Sequence, residues 1–138
     1  MAARILVVED DEASRHLLKY LLAARGYAVV EAEDGMVGIR KALSESPDLV
    51  LCDLQMPVMN GYQVARYLLA DAGWARAPLV AVTAFSMAGD REKALAAGFD
   101  DHLTKPIDPV AFVACIERYL PPGLIASGAP LVPPGSPP

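Results

Sequence analysis

Short runs of aliphatic and β-branched residues recur along this chain. Each is followed by a longer stretch whose apolar positions follow a helical period, and this repeated change of period most restricts the fold. Ile5-Leu6-Val7-Val8 opens the series, and Leu17, Leu18, Leu21 and Leu22 then share one face of a helix ending at Gly26. Ala28-Val29-Val30-Glu31-Ala32 reads as a second strand. Asp34 is placed to cap a helix with Met36, Ile39, Ala42 and Leu43 on its buried side, and Pro47 lies just past its end. Leu49-Val50-Leu51-Cys52 is continuously apolar, as a strand covered on both faces should be. Val64, Ala65, Leu68 and Leu69 stripe a third helix, and Leu79-Val80-Ala81-Val82 forms a fourth strand. A helix follows over about Ala88 to Ala97, then a short strand His102-Leu103-Thr104, then a helix striped by Phe112, Val113, Ile116 and Leu120. Five strands alternating with five helices predict an α/β protein with helices on both faces of a parallel sheet.

The 138 residues suit one domain, and an apolar content of 54% is enough for a core. All 12 basic and 17 acidic residues precede Pro121, which places a domain at 1–120. Residues 121–138 hold seven prolines, three glycines and no charge, so they predict an extended tail with polyproline-II character. Within it, Leu124-Ile125 or Leu131-Val132 could dock on the domain or on a partner. The net charge of −5 argues against nucleic acid or an anionic membrane surface as partner. No apolar run approaches the roughly 18–20 residues that span a bilayer, and the N-terminus has no signal-peptide layout. Cys52 and Cys115 form no CxxC and read as buried thiols in a reducing compartment, so the expected location is the cytoplasm.

In a parallel sheet of this kind function gathers at the carboxyl ends of the strands. The first strand ends in Glu9-Asp10-Asp11, the third in Asp53, the fourth in Thr83 and the fifth in Lys105-Pro106. Carboxylates gathered along one edge repel each other, and a hard divalent cation answers that repulsion. Mg²⁺ takes oxygen ligands and is commonly held by one or two carboxylates plus phosphate oxygens. Lys105 adds a point charge and Thr83 a hydroxyl, both suited to a phosphoryl group.

These residues resemble the receiver domain of two-component response regulators, over about residues 4 to 120. The likeness is carried by Ile5-Leu6-Val7-Val8-Glu9-Asp10, by Pro47-Asp48-Leu49-Val50-Leu51-Cys52-Asp53-Leu54-Gln55-Met56-Pro57 with Met59-Asn60-Gly61, by Val82-Thr83-Ala84, and by Lys105-Pro106. Val82 to Asp90 also resembles stand-alone cell-cycle regulators and receivers of hybrid kinases. The resemblance implies a flavodoxin-like, doubly wound sheet in the order 2-1-3-4-5. It implies that Asp53 is the phosphoacceptor, taking a phosphoryl group from a histidine kinase or phosphotransfer protein. Asp10, Asp53 and the backbone carbonyl of Gln55 would ligate Mg²⁺, with Glu9 acting through metal-bound water. Lys105, the Thr83 hydroxyl and the Ala84 N–H would hold the phosphoryl oxygens, and Lys105-Pro106 would be cis. Phe85 and Gln55 stand where the family tunes hydrolysis.

A switch would couple Thr83 to an aromatic residue three positions before Lys105. His102 stands there in place of the family's tyrosine or phenylalanine, which puts ordinary switching in doubt. No output domain is recognisable after residue 120, so a downstream protein target is the expected output. A receiver cut from a hybrid kinase or a longer regulator is the alternative. A phosphatase with an aspartyl nucleophile fits less well, because Gln55 stands where its second acid belongs. A scaffold that never takes phosphate is opposed by the complete set of acids with Thr83 and Lys105. Each residue also has an ordinary reading: Asp11 as a helix cap, His16 on a solvated face, Cys52 as core, Trp74 as packing.

Overall fold

The computed structural model describes residues 2–84 and 89–125. Strands β1 (Arg4–Val8), β2 (Ala28–Ala32), β3 (Leu49–Asp53), β4 (Leu79–Thr83) and β5 (Asp101–Thr104) alternate with helices α1 (Glu12–Ala24), α2 (Gly35–Glu45), α3 (Gly61–Ala70), α4 (Asp90–Ala96) and α5 (Pro109–Tyr119). The strands pair in parallel in the order β2-β1-β3-β4-β5, as expected.

Side chains one residue apart in a strand leave on opposite faces, and the core divides accordingly. Leu6, Val8, Val50 and Cys52 pack with Leu68 and Phe99 on the side of α2, α3 and α4. Ile5, Val7, Leu49 and Leu51 pack with Leu22, Phe112 and Ile116 on the side of α1 and α5. Cys52 is core, as read from its alternation with Asp53, and burial pushes its thiol far above the ordinary range. Trp74 is likewise buried in the first of these clusters.

Helix starts follow from side-chain oxygens that take the otherwise unmade N–H groups of the first turn. Asp11 accepts from the Ser14 N–H at 2.9 Å, and Asp34 accepts from the Val37 N–H at 2.8 Å. Asn60 and Gln63 form a reciprocal capping box at α3. Asp108 caps α5 with Pro109 at its first position, where a missing N–H costs nothing.

The helix faces depart from the expectation at four residues. Met36 and Leu43, expected on the buried side of α2, are exposed, and so are Leu17 and Leu69 from the apolar stripes of α1 and α3. In α2 Ile39 and Ala42 are buried as expected, and the buried line is completed by Gly35 and Gly38. A Cβ on Gly38 would lie 2.8 Å from both methyls of Val8, so the helix backbone sits directly on β1. Absence of a side chain, as well as an apolar one, marks that face. Smaller differences are that β5 begins at Asp101 and that α4 covers Asp90–Ala96, with Ala88 outside the described residues. Beyond α5 the chain makes a 3-10 turn over Pro122–Leu124, and Leu124 packs half-buried against the α1/α5 side. Leu131-Val132 lie outside the described residues.

Asp101 anchors the strand that leads to Lys105. It is buried, and its carboxylate accepts from Arg91 of α4 at 2.8 Å, from the Tyr119 hydroxyl of α5 at 3.0 Å and from the His102 N–H at 2.8 Å. Burial pushes the carboxyl up, but the His102, Arg91 and Tyr119 donors outweigh it and hold the group below the ordinary carboxylate range. A group depressed on folding stabilises the native state above its unfolded pKa, and that contribution is lost as pH falls through the native value. Asp101→Asn is expected to cost about 1–3 kcal/mol at neutral pH, since donors around a buried acceptor lose their charged partner. The deficit relative to wild type should shrink in urea titrations taken progressively below pH 4.

Candidate phosphoacceptor site

Because the strands are parallel, their carboxyl ends share one edge of the sheet, and the acids predicted there meet. One ligand oxygen each from Glu9, Asp10 and Asp53 lies within 4.8 Å of the others. Glu9 and Asp53 are buried, while Asp10 is exposed at the rim. Lys105 reaches between two of them, with Nζ 2.6 Å from Glu9 Oε1 and 3.1 Å from Asp53 Oδ2. Its own backbone N–H donates to the Thr83 carbonyl at 2.8 Å, which fastens the loop after β5 to the end of β4. The Lys105-Pro106 bond is cis, as expected.

The electrostatics describe a site short of positive charge. Burial pushes the Glu9 carboxyl up to about 7; the neighbouring Asp53 adds to the rise, and Lys105 only partly offsets it. Burial would lower Lys105, but the Glu9 hydrogen bond and the charge of Asp53 outweigh it and hold the ammonium above its ordinary value. Among the described residues Lys105 alone ion-pairs with these side chains, so it serves two buried acids with a third at the rim.

The loop after β3 holds the central acid in place. The Gln55 N–H donates to Asp53 Oδ1 at 2.9 Å, and the Leu54 N–H donates to the Val82 carbonyl at 3.0 Å. Gly61 opens α3 against this turn: a Cβ there would lie 2.5 Å from the Asp53 carbonyl oxygen and 2.9 Å from Leu54 Cα. Beside the acids a cleft of about 670 Å³ opens between the β3–α3 loop and α4, bounded by Gln55, Met56, Asn60, Tyr62, Thr83 and Lys93.

Seven of the predicted residues therefore gather at this edge: Glu9, Asp10, Asp53, Gln55, Thr83, Lys105 and, directly after Thr83, Ala84. Thr83 is buried and Ala84 exposed. His102 is set apart from the cluster, opposite Ala81 in the β4–β5 register. Its buried Nε2 has no hydrogen-bond partner among the described residues. Phe85 lies outside them. His16 is on a solvated face, with its imidazole 3.9 Å from Glu12. Two residues escaped sequence reasoning: Asp101, described above, and Arg15, whose Nη1 donates to the Glu9 carbonyl at 3.0 Å. The available signal for Arg15 was a cation near the start of a helix, where the dipole favours acids.

Comparison with known proteins agrees with this geometry. The family model for the response regulator receiver domain matches residues 5–117. The chain belongs to the response regulator receiver family. Among curated receivers it is 34% identical over 120 residues to the polar-differentiation response regulator DivK of Brucella ovis, covering 87% of this chain and 98% of that one. The DivK of Brucella anthropi matches with the same identity and coverage. Among solved structures, the chemotaxis protein CheY4 of Vibrio cholerae superposes with a TM-score of 0.81 at 26% identity, covering 87% of this chain and all of that one. The receiver domain of the sensor histidine kinase PA1611 of Pseudomonas aeruginosa gives 0.79 at 33% identity over 86% of this chain and 98% of that one. That structure holds a magnesium ion coordinated in its active site cleft. Among the described residues of this receiver no helix is long and apolar enough to cross a membrane.

Proposed function

We propose that this receiver takes a phosphoryl group on Asp53 from a histidine kinase or phosphotransfer protein, and that the phospho-form switches a surface read by a downstream protein target. The observation that carries the reading is the cluster of Glu9, Asp10 and Asp53 with Lys105 reaching into it. Among the described residues the cluster consists of three carboxylates, a hard oxygen set, and burial together with the neighbouring Asp53 raises the Glu9 carboxyl, a rise that a bound cation would oppose. A Mg²⁺ ion fits those terms. Asp10 and Asp53 would hold it with the Gln55 carbonyl, and Glu9 would act through a bound water. When bound, it supplies neutralisation of charge on the phosphoryl oxygens.

The chain's own residues then do the following. A carboxylate oxygen of Asp53 attacks the phosphorus of a phosphoimidazole. The phosphorus–nitrogen bond breaks, the imidazole leaves with the bonding pair, and an acyl phosphate remains on Asp53. The Gln55 N–H, already bonded to Oδ1, keeps the carboxylate aimed during the attack. The Lys105 ammonium needs only to exchange an Asp53 oxygen for a phosphoryl oxygen, and the Thr83 hydroxyl and Ala84 N–H offer further donors. This is one transfer per molecule, not turnover of a substrate. His102 and Thr83 are proposed to carry the change towards α4 and α5. We assign residues 1–120 to the receiver unit and 121–138 to an appended tail, with the cytoplasm as the site of action. The likeness to the PA1611 receiver favours a second reading, a receiver portion of a hybrid kinase, in which the chemistry at Asp53 is the same.

Intact mass after incubation with acetyl phosphate tests the proposal. One added phosphoryl group is expected with Mg²⁺ and none after its removal by chelation. A folded protein that stays unmodified with Mg²⁺, both from acetyl phosphate and from a panel of phosphorylated histidine kinases, would overturn it in favour of a phosphate-independent scaffold.

A further inference from the structure

Arg15 reaches the acidic cluster from behind. Four residues into α1, it donates from Nη1 to the Glu9 carbonyl at 3.0 Å while its Nε faces the Glu31 carboxylate of β2 at 3.4 Å. Glu31 is itself held in place. Lys19 Nζ lies 3.1 Å from its carboxylate, and Lys41 donates to its backbone carbonyl at 2.5 Å. The Arg15 side chain is only 14% exposed, so the guanidinium is largely withdrawn from water. A cation in this turn opposes the helix dipole, and the peptide between Glu9 and Asp10 supplies a reason for it.

That peptide joins two of the three clustered acids. The Glu9 N–H donates to the Ala32 carbonyl at 3.0 Å, and the Asp11 N–H donates to Glu9 Oε2 at 3.2 Å. The Glu9 carbonyl, between the two acids, is the group Arg15 takes. Fixing it fixes the peptide plane, and with it the direction in which the Asp10 side chain leaves the backbone. A guanidinium is suited to the task because its planar fork serves two acceptors at once, whereas a lysine ammonium acts as a point donor.

We infer that Arg15 is a positioning residue: its bridge from Glu31 to the Glu9 carbonyl holds Asp10 within reach of Glu9 and Asp53, and so sets the affinity of the cluster for a divalent cation. The inference rests on the proposed reading of the cluster as a Mg²⁺ site. The test is calorimetric titration with Mg²⁺ of the wild type, Arg15→Ala, Arg15→Lys and Glu31→Gln, with urea unfolding of each metal-free protein. Arg15→Ala is expected to bind Mg²⁺ about 10- to 100-fold more weakly, the usual effect of removing a group that orients a ligand. Arg15→Lys should recover part of the loss, and Glu31→Gln, which leaves the three acids untouched, should weaken binding to a lesser degree. A purely structural role would lower the urea midpoint and leave the affinity of the folded protein unchanged, and that result for Arg15→Ala overturns the inference. Should Arg15→Ala fail to fold, Glu31→Gln at wild-type affinity overturns it instead. A wild type that binds no Mg²⁺ removes the metal reading and the inference together, an outcome distinct from either.

Discussion

Asp53→Asn is expected to gain no phosphoryl group under conditions that label the wild type fully, and to keep its fold. The substitution exchanges a carboxylate oxygen for an amide nitrogen of nearly the same size. The remaining oxygen can still accept from the Gln55 N–H, and Lys105 retains Glu9 as a partner. What disappears is the anionic nucleophile, and no packing is lost with it. Loss of one of two buried acids beside a single ammonium also relieves repulsion, so the urea midpoint should stay level or rise. Intact mass and urea titration on the same preparation read both effects. A mutant that still gains a phosphoryl group locates the acceptor elsewhere, and peptide mapping would then name it.

Lys105→Met should be nearly as severe. Methionine keeps most of the side-chain length and removes the charge. The ammonium now lies 2.6 Å from Glu9 and 3.1 Å from Asp53, and in the proposed transfer negative charge would build beside it. Removing a preorganised electrostatic donor from such a site typically slows the chemical step by about 10²–10³-fold. Labelling from acetyl phosphate, followed by mass against time at saturating Mg²⁺, is expected to slow by that factor. Lys105→Arg should recover only part of it, since the guanidinium is broader and cannot occupy the same point between two oxygens. An unchanged rate in Lys105→Met would remove Lys105 from the chemistry and leave it as a structural tie between β5 and β1.

The sequence made the architecture readable because strands buried on both faces must be apolar throughout, as Leu49–Cys52 and Leu79–Val82 are. Parallel strands then bring their ends together without further information, which is why the sequence alone places Glu9, Asp53, Thr83 and Lys105 on one edge. The failures have two physical causes. Periodicity of large apolar residues puts Met36 and Leu43 inside, whereas α2 lies against Val8 of β1 at Gly38 and against Met59 at Gly35, so two glycines join Ile39 and Ala42 on the buried line. Arg15 and Asp101 act through partners distant in the chain, Glu31 and Tyr119 among them. Pattern along a single sequence does not carry such pairings. His102 was legible as an odd residue at its position. Its buried Nε2, without a hydrogen-bond partner among the described residues, required the folded chain.

The close approach of Gly61 to the Asp53 carbonyl has a meaning for how chains of this kind can vary. At most positions a core residue and a reacting residue can change independently, because one governs stability and the other rate. Here a single methyl group would press on the peptide that carries the proposed nucleophile, so the two properties would be tied at one address. Helix α3 is constrained along its buried face by the packing of Val64, Ala65 and Leu68, and at its first residue by the need for no side chain at all. In sorting unfamiliar sequences, a glycine eight places after a strand-end aspartate, with a capping asparagine before it, is thus a geometric signature of the turn itself.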